Sequence, residues 1–196
     1  MMPQPVTAPY VPEAASTLAG AFFGDPVWAW AFPDPTHRRR QLAALWTLFL
    51  LGSLDHGWVW ATEGREAVSL WIPPGCAELA EPYHQRLEGL VRELLGPRSD
   101  LVLEVFQRFD DAHPRGEDHY YLSLLGTDPN SRGLGLGMDL LRHNLASIDA
   151  AGAAAYLEST NPANLDRYRS VGFEAIGEFD LPEDGPDVTT MWRKSR

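Results

Sequence analysis

Between Leu122 and Met138 the chain reads LSLLGTDPNSRGLGLGM: an apolar strand, a Thr-Asp-Pro turn, one arginine, then glycines at 133, 135 and 137 opening a helical pattern. Residue types in that order describe an anion site. Glycines at Gly133, Gly135 and Gly137 let the main chain approach a ligand with no side chain in the way, and the first N–H groups of the new helix lack intrahelical partners. A helix N-terminus carries roughly +0.5 of a charge. With the Arg132 cation beside it, the stretch suits a diphosphate.

Spacing tests two familiar nucleotide loops. A G-x-x-x-x-G-K-[ST] loop needs Lys and Ser or Thr after its last glycine, but Leu136, Gly137 and Met138 follow Gly135, so that reading fails. A G-x-G-x-x-G dinucleotide fingerprint would need glycine at position 138 or 140, where Met138 and Leu140 stand. Glu158, about 20 residues downstream at a strand end, keeps a nicotinamide-dinucleotide oxidoreductase as the runner-up. A non-catalytic binder of a ligand or of acyl-CoA is the third class.

The remaining fit is R-x-x-G-x-G at Arg132, Gly135 and Gly137, followed by YLESTNPANLDRYRSVGF from Tyr156 to Phe173. These two ordered stretches resemble the signatures of the GNAT superfamily of acetyl-CoA-dependent N-acetyltransferases. The early LAGAFFGDPVWAWAFPDP segment is similar to puromycin-type members, whose acceptors are aminonucleoside antibiotics. The resemblance covers most of the chain and is closest in the acetyl-donor half. It implies an α/β (α+β) fold: a central mixed, mostly antiparallel, twisted sheet flanked by helices, with a splayed strand pair holding acetyl-CoA.

The same resemblance implies roles residue by residue. Main-chain groups of Leu125, Gly126 and Thr127 would pair with the pantetheine arm. The loop from Arg132 through Gly133, Leu134, Gly135, Leu136, Gly137 and Met138 would hold the pyrophosphate. Asn164 would bond the pantetheine arm, and Tyr168 would reach the sulfur as proton donor. For the general base Glu158 comes first, near the end of the neighbouring strand, and His119 at the start of the central strand comes second. Trp28, Trp30 and Trp58 are the candidate acceptor contacts. Acetyl transfer needs a neutral amine: one with a pKa near 7.7 is about one-sixth neutral at pH 7, whereas a lysine-like amine near 10.4 is neutral in fewer than about one molecule in a thousand. A puromycin-like amine therefore tolerates a weak base.

Several elements must position these residues. Glu13 to Phe23 has helical character and Gly24-Asp25-Pro26 should stop it, leaving VWAWAFPDP as an aromatic turn. A second helix is expected from Thr36, read as its N-cap, with Leu42, Leu45, Trp46, Phe49 and Leu50 on one face. Residues 58–62 and 67–72 alternate as a hairpin, and Leu87 to Leu95 and Leu101 to Phe109 read as helices. Leu134, Met138, Leu141, Leu145 and Ile148 step as a buried helix face. Strands follow at 153–159, 173–179 and 188–192. Between the first two lies a short helix over 162–170, with Asn161 as N-cap, Pro162 at N1 and Gly172 at C′; it sets Asn164 and Tyr168 four residues apart.

Composition bounds the rest. A chain of 196 residues with 44% apolar content suits one domain, 1–196. A net charge of −11 argues against a nucleic-acid partner and mildly favours a cationic small molecule. No basic, apolar leader opens MMPQPVTAPY, and Leu42 to Leu54 falls short of the roughly 20 apolar residues a bilayer demands. A lone cysteine, Cys76, permits no internal disulfide, and a cytoplasmic location without membrane contact is expected. The six histidines show no ligand spacing, so no metal is expected. The expected partner is a small-molecule amine, a setting that includes antibiotic resistance, in a monomer or homodimer.

Overall fold

A computed structural model describes residues 2–196. Among the described residues the elements are β1 (Gln4–Pro5), α1 (Val11–Phe22), α2 (Pro26–Ala31), α3 (Pro35–Ser53), β2 (Val59–Ala61), β3 (Ala67–Ile72), α4 (Tyr83–Leu95), α5 (Ser99–Ala112), β4 (His119–Thr127), α6 (Leu136–Ala150), β5 (Ala154–Ser159), α7 (Leu165–Arg169), β6 (Glu174–Phe179) and β7 (Val188–Arg193). One seven-stranded sheet runs in the order β1-β2-β3-β4-β5-β7-β6. Every neighbouring pair is antiparallel except β4 with β5. This is the mixed, mostly antiparallel sheet expected. It is not the doubly wound parallel sheet that the dinucleotide reading requires.

Each face of the sheet has its own core. Leu18, Val27, Leu45, Trp46, Leu50, Leu70 and Leu124 bury α1, α2 and α3 on one face. Trp71, Leu122, Leu141, Leu145, Ile148, Leu157 and Phe173 bury α6 on the other. Alternation along β4 explains the division: Tyr120 and Leu122 point to the α6 face while Tyr121 points to the α1 face. A buried polar contact sets the rotation of α6, since Asn144 Oδ1 accepts from Ser69 Oγ at 2.9 Å and from Trp71 Nε1 at 3.2 Å.

Three local expectations are corrected. The VWAWA part of VWAWAFPDP is helical, because Asp25 accepts from the N–H groups of Val27 and Trp28 and Pro26 occupies the first turn; only Phe32, Pro33 and Asp34 form the turn before α3. The N-cap of α3 is Asp34, not Thr36; its carboxylate accepts from the Thr36 N–H at 2.8 Å. Leu134 does not share the buried face of α6. It precedes the helix in the glycine loop and is 69% exposed, whereas Leu141, Leu145 and Ile148 are buried as expected.

Candidate active site

The site begins where β4 and β5 part. They pair in parallel from His119 opposite Ala154 to Leu122 opposite Leu157, and no pairing continues beyond. β4 itself goes on to Thr127, held on its other side by β3. The β3–β4 register shifts between Leu70 and Trp71, so Ser123 is an extra residue at the fork. A bulge bends and twists its strand, which is the local cause of the parting. Main-chain groups alternate sides along a strand, so those of Leu125 and Thr127 face the opening while those of Gly126 face Val68 of β3, a correction to the expectation for Gly126.

Beyond the fork, the chain turns through Pro129–Ser131, where Asp128 accepts from the Asn130 N–H, and enters the glycine loop. Gly133 and Gly135 adopt φ of 84° and 79°, left-handed values that L side chains rarely take. Gly135 is the N-cap of the 15-residue α6 and offers no side-chain cap, leaving the N–H groups of Leu136, Gly137 and Met138 for an anion. A Cβ at Gly137 would lie 2.6 Å from Thr127 Oγ1, so glycine there lets the helix start against the strand end. Gly126 has a different reason: its Cβ would lie 2.7 Å from that of Ala21, and its bareness seats α1 on the sheet. The exposed Arg132 is anchored too, donating from Nη2 to the Ala21 carbonyl at 2.8 Å. These features fit the diphosphate and pantetheine arm of acetyl-CoA.

A cleft of 1260 Å³ opens beside the fork on the α1 face. Leu125, Asn164, Tyr168, Glu158, His119 and Trp28 all line it. Two candidate acceptor contacts do not. Trp58 packs on Tyr120, ring centroids 4.6 Å apart, in the cluster on the α6 face. Trp30 stacks under the Arg98 guanidinium away from the cleft. The aromatic wall is instead Trp28 with Phe22, Trp46, Phe49 and Phe106. These residues come from four helices, α1, α2, α3 and α5, so no local spacing could have grouped them.

Glu158 stands at the centre of the polar wall. Its side chain is 2% exposed, and its Oε1 has no hydrogen-bond partner among the described residues. Burial, together with the charge of Glu78, pushes its carboxyl up to about 8, while the hydroxyls of Tyr121 and Tyr156 oppose the rise. Glu78, which the sequence reading overlooked, accepts from Ser123 Oγ at the bulge, and burial pushes it up to about 7. Nothing in its loop sequence, PPGCAELAEP, marks it. Asp110, Glu117 and Asp118 line the cleft against one cation, Arg115, with Glu88 adding a further acid at its edge, and Glu78 and Glu158 ionise more fully when a cation binds beside them. That charge balance suits a cationic occupant.

A raised folded-state pKa stabilises the protein below the ordinary carboxyl range and loses that stability as the pH climbs through the raised value. For Glu158, raised to about 8, the part lost between pH 6 and 9 is a few kcal/mol. The midpoint of thermal unfolding should therefore fall by several degrees between pH 6 and 9. Glu158→Gln should remove much of that fall; an unchanged pH slope in this variant would contradict the buried carboxyl.

Asn164 and Tyr168 come from the turn Pro162–Asn164 and from α7. Asn161 accepts from the Ala163 N–H as its cap, and Gly172 is left-handed. Asn164 Oδ1 accepts from Arg167 at 2.7 Å. Tyr168 packs edge-on against Phe173, and burial pushes its phenol up to about 12, with nearby Asp25 adding to the rise. Asp25 also accepts from Thr160 Oγ1 at 2.7 Å, tying the start of α2 to the end of β5. Thus the residues expected to face the acyl group converge on one cleft. Among the described residues no group of three His, Cys, Asp or Glu could hold a metal ion, and no helix is long and apolar enough to cross a membrane.

The parted strand pair, the bare helix start and the seven-stranded sheet define a GNAT-type N-acetyltransferase fold, and similarity to known proteins supports an acyltransferase of that superfamily. No family model matches the chain. The peptidyl-lysine N-acetyltransferase YjaB of Escherichia coli (strain K12) is 29% identical over 126 residues, which are 63% of this chain and 84% of that protein. The N-alpha-acetyltransferase RimI of Mycobacterium tuberculosis is 40% identical over 80 residues, 39% of this chain and 49% of that protein. The crystal structure of histone acetyltransferase HPA2 and related acetyltransferase from Corynebacterium glutamicum superposes with a TM-score of 0.70 at 25% identity, covering 100% of this chain and 96% of that one. The polyamine N-acetyltransferase of Drosophila melanogaster, which forms N-acetylagmatine, shares the fold at a TM-score of 0.65 and 18% identity over 98% of this chain and 99% of that one.

Proposed function

We propose that this chain transfers the acetyl group of acetyl-CoA to the primary amine of a small, cationic, partly aromatic molecule. The observation that carries the proposal is the fork beyond Leu122 and Leu157, which opens between a bare helix N-terminus and a cleft walled by the buried Glu158 carboxyl, whose Oε1 has no hydrogen-bond partner among the described residues. When bound, acetyl-CoA supplies an activated acetyl carbonyl. The diphosphate is held by the N–H groups of Leu136, Gly137 and Met138 and by the Arg132 charge. Leu125, Thr127 and Asn164 align the pantetheine arm. Glu158 removes a proton from the acceptor's ammonium; binding a cation beside it lowers its pKa from about 8 and readies it for that task.

Tyr168 keeps its phenolic proton at neutral pH, so it is a donor there. From a phenol at about 12 to a thiolate near 8.5, complete transfer is uphill by roughly 5 kcal/mol. Tyr168 accordingly acts by hydrogen bonding to sulfur as charge develops, not by prior ionisation. Tyr168→Phe should lower kcat by about 10- to 100-fold while acetyl-CoA affinity changes less than about threefold. Unchanged turnover would remove Tyr168 from the mechanism.

The acidic, aromatic cleft is what supports a cationic acceptor. Release of CoA thiol measured over agmatine, tyramine, puromycin, a lysine peptide and a peptide with a free α-amine tests the reading. Acetylation of at least one of these amines is expected, and puromycin among them would identify an antibiotic-modifying role. Tight acetyl-CoA binding with no thiol release across the panel would favour a sequestering protein instead.

A further inference from the structure

His113 adjoins Glu158 and His119 adjoins His113, and their hydrogen bonds determine where each ring carries its proton. His113 follows α5 and His119 opens β4; their Nε2 atoms are 3.1 Å apart. One Nε2 must therefore donate and the other accept. His119 Nδ1 lies 2.6 Å from the Glu117 carbonyl, which can only accept, so this ring is protonated on Nδ1 and its Nε2 carries a lone pair. His113 thus donates through Nε2–H, and its own Nδ1 is left as an acceptor. That Nδ1 is 3.9 Å from Glu158 Oε1, the oxygen with no partner, a gap that a small side-chain rotation closes.

Exposure rises along this line. The Glu158 side chain is 2% exposed and that of His113 is 24% exposed. His113 and the following residues, Pro114 to Asp118, line the cleft. Edge-on rings of Tyr121 and Tyr156 hold the His113 imidazole in place.

We propose that His113 is the proton exit for Glu158, with His119 and the Glu117 carbonyl as positioning groups that keep the His113 ring in its accepting tautomer. The inference rests on Glu158 being the base. The carboxylate takes a proton from the acceptor's ammonium, leaving the amine lone pair free. The O–H bond on Glu158 then breaks as an Nδ1–H bond forms on His113. With that small rotation reversed, the imidazolium's Nδ1–H turns from Glu158 to the cleft, gives its proton to water there and returns to its starting tautomer. One proton has moved from substrate to solvent, and no group has changed oxidation state.

Charge around the ring agrees with a relay that stores no proton. Burial, His119 and Arg115 push the imidazole down to about 4 against the opposing charge of Asp110. His113 is therefore neutral throughout the working range. Transfer from a carboxyl at about 8 to an imidazole at about 4 is disfavoured about 10,000-fold, so the imidazolium is only a transient carrier. The Glu158 carboxylate formed by the transfer lies beside the new imidazolium and favours it.

Steady-state kinetics of His113→Phe and His113→Ala, with the panel amine of highest turnover, tests the relay. His113→Phe keeps the aromatic packing. A fall in kcat of about 10- to 100-fold at pH 7 is expected, with acceptor KM and acetyl-CoA affinity within about threefold of wild type. The deficit should shrink toward pH 9, where hydroxide can deprotonate the buried carboxyl directly. Added imidazole should restore His113→Ala in a saturable way but leave Glu158→Gln unrescued. Wild-type kcat in both His113 variants beside an impaired Glu158→Gln overturns the relay and leaves the base intact. Loss in His113→Ala that imidazole does not relieve, with acetyl-CoA binding preserved, also overturns it. Full activity of Glu158→Gln removes the base and the relay together.

Discussion

Gly135→Glu should bind acetyl-CoA at least about 100-fold more weakly than the wild type, measured by calorimetry with acetyl-CoA or CoA. Two costs add. Gly135 sits at φ 79°, where an L side chain costs about 1–2 kcal/mol. The new carboxylate would also stand at the bare start of α6, facing the diphosphate. Two like charges a few ångströms apart near a protein surface repel by up to about 4 kcal/mol. The backbone cost enters affinity because the empty loop can relax its strain and must take it up again on binding. Half the repulsion plus that cost is about 3–4 kcal/mol. Each 1.4 kcal/mol is a factor of about ten, so the loss exceeds 100-fold. Gly135→Ala carries only the backbone cost and should lose about tenfold. A Cβ there has open space, with Asp139 Oδ2 the nearest atom at 3.9 Å, so crowding is not the cause. Equal affinity in Gly135→Glu and the wild type would place the diphosphate elsewhere.

Glu158→Gln carries the second large effect, a fall in kcat/KM of about 100- to 10,000-fold. Amide for carboxylate preserves volume and leaves the cleft's shape alone. The size of the loss depends on the acceptor. An α-amine near pKa 7.7 is already partly neutral at pH 7 and should show the smaller loss, and a lysine-like amine the larger. The wild type should also show kcat/KM rising with pH through about 8, because Glu158 must be ionised to accept a proton. With an acceptor of low pKa, whose own ionisation lies below this range, the rise belongs to the enzyme and should vanish in Glu158→Gln. The variant is not expected to unfold, since it replaces a costly buried ionisable group by a neutral one. A persistent limb near pH 8 with undiminished kcat/KM would assign the base elsewhere, with His119 next in line.

The geometry of the glycine loop and of the Asn164–Tyr168 segment was legible in the sequence because it is local. Arg132, Gly135 and Gly137 lie within six residues, and a strand, a turn and a helix start suffice to create uncapped N–H groups. Asn164 and Tyr168 are likewise brought together by one short helical segment whose cap, Asn161, and terminator, Gly172, stand in the chain. Each of these features depends on backbone conformation over a few residues, where glycine, proline and capping side chains have the strongest influence.

The acceptor half was not legible, because its members meet only through packing. Trp58 and Trp28 look alike in sequence, yet the pleat sends Trp58 to the α6 face while α2 carries Trp28 to the cleft. A two-residue period fixes alternation but not which face becomes the cleft. Glu78 and His113 come from loops far from Glu158 in sequence, and their raised and lowered pKa values arise from burial and mutual charge in the folded chain. By itself, then, the sequence determined a glycine-led helix start with bare N–H groups and a tyrosine one turn beyond an asparagine. Only the tertiary structure decided that β4 and β5 part after Leu122, that a buried carboxyl faces the gap, and that two histidines lie behind it, because these depend on long-range register and desolvation.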